Sequence, residues 1–82
     1  MQFKIAKDQI QHCWAIYRVG GDKDQHAHFS RYAACKRLEA ILKAGECPYS
    51  PWYQEAARRL LTHEEYIVLR KPKDRYHNRP RR

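Results

Sequence analysis

The stretch CWAIYRVGGDKDQHAHF, residues 13–29, decides the fold of this 82-residue chain. Trp14, Ile16 and Arg18 alternate with Cys13, Ala15, Tyr17 and Val19, the period of a half-buried strand rich in β-branched and aromatic residues. Gly20-Gly21-Asp22 then offers positions that accept positive φ. A charged loop through Gln25 lets the chain reverse into a short strand around His26 to Phe29. Upstream, Phe3 to Ile5 has the same character, so a small antiparallel sheet of two or three strands is expected. One face would carry Phe3, Ile5, Trp14 and Ile16 or their neighbours, because a one-residue slip of register exchanges the two faces.

Downstream the period changes from two to that of a helix. Ser30 is a good N-cap, and Ala34, Cys35, Leu38, Ile41 and Leu42 follow at helical spacing until Gly45 offers a C′ residue, which predicts a helix over residues 31–44. Ser50-Pro51 repeats the start signal, and Tyr53, Ala56, Ala57, Leu60 and Leu61 make an inward stripe. Thr62 and Glu65 have capping-box spacing, with Leu61 and Tyr66 placed as a hydrophobic staple. A third short helix over residues 63–70 is therefore expected, in competition with a strand through the β-branched run Tyr66-Ile67-Val68-Leu69. Pro72 ends either element. The reading is an α+β domain over residues 1–71, two or three helices packed on one face of the sheet, followed by a basic tail over residues 72–82 that lacks apolar anchors other than Tyr76 and is expected to be flexible.

Charge divides along the same line. The formal net charge is +8, yet the last thirteen residues hold seven Arg or Lys against one acid, Asp74, while the first 69 residues carry ten basic and eight acidic side chains. Arg70, Lys71, Lys73, Arg75, Arg79, Arg81 and Arg82, with Tyr76 among them, form a cationic arm suited to a phosphate backbone. Guanidinium forks grip phosphate, and a tyrosine within such a run can stack on a base. Such an arm supplies affinity and salt dependence rather than sequence choice. On the body, Arg31, Lys36 and Arg37 are candidates for a basic patch adjoining the sheet, and Arg18 is the one charged residue of the central strand. With Arg18 on the solvent face near Lys4, the sheet itself would become a contact surface. Glu39 with Lys43 and Glu55 with Arg59 have i,i+4 spacing, the mark of an ordinary solvated helix face.

Other chemistry is thinly represented. The longest apolar runs fall far short of the ~20 residues that span a bilayer, and the N-terminal stretch lacks a secretion pattern, so a cytoplasmic chain with no membrane partner is expected. Cys13, Cys35 and Cys47 are odd in number with no paired short spacing, which fits thiols in a reducing compartment. They form no zinc-type pair with His12, His26 or His28; His26 and His28 would share one side of a strand but need two more ligands from elsewhere, so no metal is expected. No glycine-rich phosphate loop, nucleophile elbow or carboxylate cluster occurs, and no cofactor is expected.

These features favour a non-enzymatic nucleic-acid-binding accessory protein, of a plainness common in phage and mobile-element genomes, whose partner is DNA, RNA or a nucleoprotein complex. The strands-then-helix layout is similar in architecture to small DNA-binding modules that lay a three-stranded sheet in the major groove. A competing class is a protein-binding inhibitor of a host defence complex, of the anti-CRISPR type, acting in the host cytoplasm. Tyr49, Trp52 and Tyr53, near the turn over residues 47–51, would then be its anchors, although core packing is the commoner fate of a Trp in a helix's first turn. A third class is a ribonuclease: Arg75-Tyr76-His77 resembles the C-terminal basic and aromatic residues of small bacterial toxin ribonucleases of the RelE type. That family begins strand-helix-helix, and this chain puts its strands first.

Overall fold

The computed structural model describes residues 1–70. Three strands, β1 (Phe3–Asp8), β2 (Cys13–Arg18) and β3 (His26–Phe29), precede three helices, α1 (Tyr32–Lys43), α2 (Pro51–Leu60) and α3 (His63–Arg70). The strands form an antiparallel meander in the order β1-β2-β3. Lys71 and the tail expected over residues 72–82 lie outside the described residues.

Register fixes which face is which. Ile5 pairs with Ile16, Phe3 with Arg18 and Lys7 with Trp14, while Trp14 pairs with Phe29 and Ile16 with Ala27. Phe3, Ile5, Trp14 and Ile16 thus share one face, and the helix layer covers it. Gly20 takes φ 80° in the β2–β3 turn, a conformation that a residue with a Cβ enters only at a cost. The turn is closed by Arg18 N–H to Gln25 O at 3.0 Å and Gln25 N–H to Asp22 O at 3.0 Å. Between β1 and β2 the turn is held differently: Asp8 Oδ1 accepts from the Ile10 and Gln11 amides at 3.1 and 3.2 Å.

Helix α1 lies across all three strands, α2 packs on β3 and α1, and α3 packs on α2. Ile16, Cys35, Leu38, Leu42 and Leu60 are fully buried, with Phe3, Ala27, Ala56, Ala57, Leu61 and Tyr66 completing the core. Burying a Leu or Ile contributes roughly 1.5–3 kcal/mol, so these few large side chains supply most of the favourable term in a small domain.

The helix boundaries follow the sequence signals with two corrections. The first is that Ser30 does not cap α1; the helix starts one residue late, Arg31 occupies the cap at φ −128°, ψ 141°, and no side chain accepts from the first turn. The chain bends at residues 30 and 31 as it leaves β3, and extended backbone at Arg31 sets the helix start one residue beyond Ser30. At the other end Gly45 takes φ 75° and the chain closes a Schellman motif, Gly45 N–H to Leu42 O at 3.0 Å and Glu46 N–H to Ile41 O at 3.1 Å. The second correction concerns α2. Ser50 stands at its cap with Pro51 in the first turn, but the Ser50 side chain makes no capping bond. Gln54 instead donates from Nε2 to Pro48 O at 2.9 Å and Tyr49 O at 3.3 Å. For α3 the capping box is complete: Thr62 N–H to Glu65 Oε1 at 2.9 Å, Glu65 N–H to Thr62 Oγ1 at 3.2 Å. That reciprocal pair makes residues 63–70 a helix, not a strand.

Candidate nucleic-acid interface

Three of the four cations singled out on the body converge. Arg31, Lys36 and Arg37, all exposed, border one shallow groove at the start of α1, together with Tyr32 and Tyr53. Arg31 stands at the cap of α1, and Lys36 and Arg37 follow about one and a half turns on, on the side of the helix turned away from the buried Cys35 and Leu38. No acidic residue stands in the first turn of α1, and among the described residues no carboxylate lines the groove. Leading amide groups of a helix carry a partial positive charge, so here the backbone and the side chains have the same sign. Lys36 Nζ lies 3.2 Å from Glu39, which makes Glu39 the partner of Lys36 rather than of Lys43.

Aromatic rings continue from the groove. Tyr32 is 47% exposed and meets Trp14 edge-to-face, centroids 5.0 Å apart at 66°. Lys7 Nζ sits 5.7 Å from the centroid of the Trp14 ring. Neither Tyr32 nor Lys7 stands out in the sequence. Register could have found Lys7, which opposes Trp14 across β1 and β2, whereas the Tyr32–Trp14 contact needs the packing of α1 on the sheet.

Arg18 is placed otherwise than a solvent-facing contact requires. It lies on the helix-covered face, away from Lys4, and donates to both Glu65 carboxylate oxygens at 2.7 and 2.8 Å and to Leu60 O at 3.2 Å. Gln25 Nε2 also donates to Leu60 O, at 2.8 Å. The Arg18 hydrogen bond holds the Glu65 carboxyl down at about 2, helped by the Thr62 amide, and Glu65 pushes the Arg18 guanidinium above its ordinary range. This bidentate brace ties β2 to the α2–α3 corner and leaves Arg18 little to offer a ligand.

Arg70 closes α3 beside Arg58, His63 and Tyr66, with Arg58 5.7 Å from the Tyr66 ring centroid. The α1 groove adjoins the Trp14 end of β2, while Arg18, about 13 Å along the strand at 3.3 Å per residue, meets Glu65 of α3 and the carbonyl of Leu60. Of the remaining sequence candidates, Lys71, Lys73, Arg75, Tyr76, Arg79, Arg81 and Arg82 lie outside the described residues, as does His77.

The three aromatic candidates divide. Tyr49 is 97% and Trp52 77% exposed, so Trp52 does not enter the core although it stands in the first turn of α2. Trp52 borders a groove between β3 and α2 with Phe29, Pro51, Ala56 and Arg59. Tyr53 packs inward on Phe29, centroids 5.5 Å apart.

All three cysteines are free; Cys35 is buried, which pushes its thiol up to about 11 and makes it inert. The outer sheet face brings Asp8, Cys13 and His28 together, one residue from each strand, an arrangement that their spacing in the sequence does not show. Comparison with family models, with curated proteins and with solved structures found no significant match.

Proposed function

We propose that this protein is a non-enzymatic nucleic-acid-binding accessory protein that grips the phosphate backbone at the start of α1 and through its cationic C-terminal run. The observation that carries the proposal is the convergence of Arg31, Lys36 and Arg37 on one groove whose lining, among the described residues, holds no carboxylate. Guanidinium and ammonium groups supply the phosphate contacts, and the first turn of α1 adds its amide dipoles. The exposed Tyr32 ring offers a base a stacking surface, which favours a single-stranded segment over a closed duplex. Binding to single-stranded and duplex oligonucleotides, followed by anisotropy across a salt series, tests this. The expected result is a steep loss of affinity with salt, with a slope made shallower by removing residues 72–82 and again by neutralising the groove. An unchanged slope in both variants excludes the reading.

A second reading is supported by one specific observation. The neighbouring Tyr49 and Trp52 side chains are largely exposed, and large aromatics left in water are typical anchors of protein interfaces. In that reading the chain inhibits a nucleoprotein complex through protein contact. A stoichiometric partner retained after nuclease treatment, and lost with Trp52→Ala, would favour it over direct nucleic-acid binding.

A further inference from the structure

We infer that the outer face of the sheet holds a transition-metal site of the zinc class, built from Asp8, Cys13 and His28. The cluster lies on the sheet face opposite the helices and takes one ligand from each of three adjacent strands. Asp8 and Cys13 are direct cross-strand partners, and His28 reaches them over Ala15, its own partner on β2. Ala15 is fully covered, and its small side chain lets the His28 side chain lie across it. His28 Nε2 stands 3.2 Å from Asp8 Oδ2, and the carboxylate, the Cys13 sulfur and the imidazole nitrogen all lie within 4.8 Å of one another.

Those separations are close to what an ion needs. Zinc bonds of about 2.0–2.3 Å in tetrahedral geometry put neighbouring ligand atoms roughly 3.3–3.6 Å apart. The Asp8–His28 separation already meets that figure, and small side-chain rotations bring in the sulfur. One carboxylate oxygen, one imidazole nitrogen and one thiolate sulfur form a mixed donor set that suits zinc or cobalt and is unsuited to magnesium or calcium, which take oxygen.

The surroundings also hold the ligands in place. Asp8 Oδ1 is committed to the Ile10 and Gln11 amides, which turns Oδ2 toward His28. His26, two residues along β3, places its ring 5.3 Å from that of His28, and its Nδ1 lies 2.7 Å from Lys23 O. A carbonyl can only accept, so Nδ1 of His26 donates in this contact and the ring is held beside His28. The Asp8–His28 ion pair accounts for two of the three groups, and strand register sets the Cys13 sulfur beside them as a third donor. Three protein ligands leave a fourth position to solvent or to an exogenous group. On binding, the Cys13 thiol and the His28 Nε2–H that faces Asp8 each give up a proton to solvent, Nδ1 of His28 carries the proton of the neutral ring, and the thiolate and the freed Nε2 take the metal.

Five histidines and three cysteines make nonspecific metal uptake a real alternative, so the test must name its ligands. The full chain, untagged, reduced and stripped with chelator, is titrated with Co²⁺ and then competed with Zn²⁺. The expected result is one equivalent bound, with a thiolate-to-cobalt charge-transfer band that Zn²⁺ abolishes and that Mg²⁺ and Ca²⁺ leave untouched. Cys13→Ser loses the band, whereas Cys47→Ser keeps it. His28→Ala and Asp8→Asn weaken Zn²⁺ binding at least tenfold; the asparagine retains the acceptor for Ile10 and Gln11, so the turn survives. Circular dichroism of each metal-free variant checks that the fold is intact. A spectrum without the thiolate band, or Zn²⁺ affinity unchanged in Cys13→Ser, His28→Ala and Asp8→Asn, overturns the inference.

Discussion

Replacing Glu65 by Gln separates two roles that one side chain performs. In the parent, Oε1 accepts from the Thr62 amide at 2.9 Å while both carboxylate oxygens accept from Arg18. Glutamine keeps an acceptor for the Thr62 amide and can still complete the capping box, so the helix start is preserved. What it loses is the charge and one of the two oxygens facing Arg18. A carboxyl held near 2 instead of its usual 4.5 would correspond to roughly 3 kcal/mol in full. The two side chains keep 17% and 32% of their surface in water, and screening reduces the expected loss to about 1–2 kcal/mol. In a domain of this size that lowers the melting temperature by roughly 5–15 °C. The pH dependence has a definite sign. The folded carboxyl binds its proton less readily than the unfolded one, so the pair's stabilisation is complete above the unfolded range near 4.5 and is lost as pH falls toward 2. Glu65→Gln removes this component, and the two melting curves converge at acid pH. Thermal unfolding from pH 2 to 7, in a cycle with Arg18→Met, reads all of this. A Glu65→Gln protein that melts with the parent at pH 7, or a coupling below about 0.3 kcal/mol, would refute the brace.

Other expectations concern the groove, the aromatics and the core. Neutralising Arg31, Lys36 and Arg37 together should make the salt slope for single-stranded DNA shallower by about 2, at roughly 0.7 per phosphate contact, while leaving the melting temperature close to the parent's. Arg18→Met, by contrast, should lower stability and leave the salt slope alone, because its guanidinium is held by Glu65 and Leu60. Trp52→Ala should change stability by less than about 0.5 kcal/mol by chemical denaturation, since the side chain is 77% exposed. Leu38→Ala should cost about 2–5 kcal/mol in the same assay, because Leu38 is fully buried against the sheet.

Local signals were legible in the sequence and long-range ones were not. The Gly20 turn, the Gly45 termination and the Thr62–Glu65 box each lie within a few residues, so alternation and capping rules read them directly. Ser30 misled because its own chemistry favours a cap, while the bend over residues 30 and 31 after β3 decides where the first helical turn can start. The face of Arg18 depended on register, and its partner Glu65 lies 47 residues away, beyond any periodic pattern. The groove at α1 was half visible: Arg31, Tyr32, Lys36 and Arg37 are close along the chain, but Tyr53 reaches the groove from α2, and Lys7 approaches Trp14 only once β1 and β2 pair. Asp8, Cys13 and His28 have no ligand spacing along the chain and meet only because three strands align.

The central claim is that the first turns of α1 meet phosphate, and amide chemical shifts during titration with a single-stranded oligonucleotide test it most directly. The account predicts that the largest progressive shifts map to residues 31–37, with Trp14 responding through Tyr32, and that they collapse as salt is raised. Shifts that leave residues 31–37 unmoved, whether they gather at Tyr49 and Trp52 or along the outer sheet face, would contradict it.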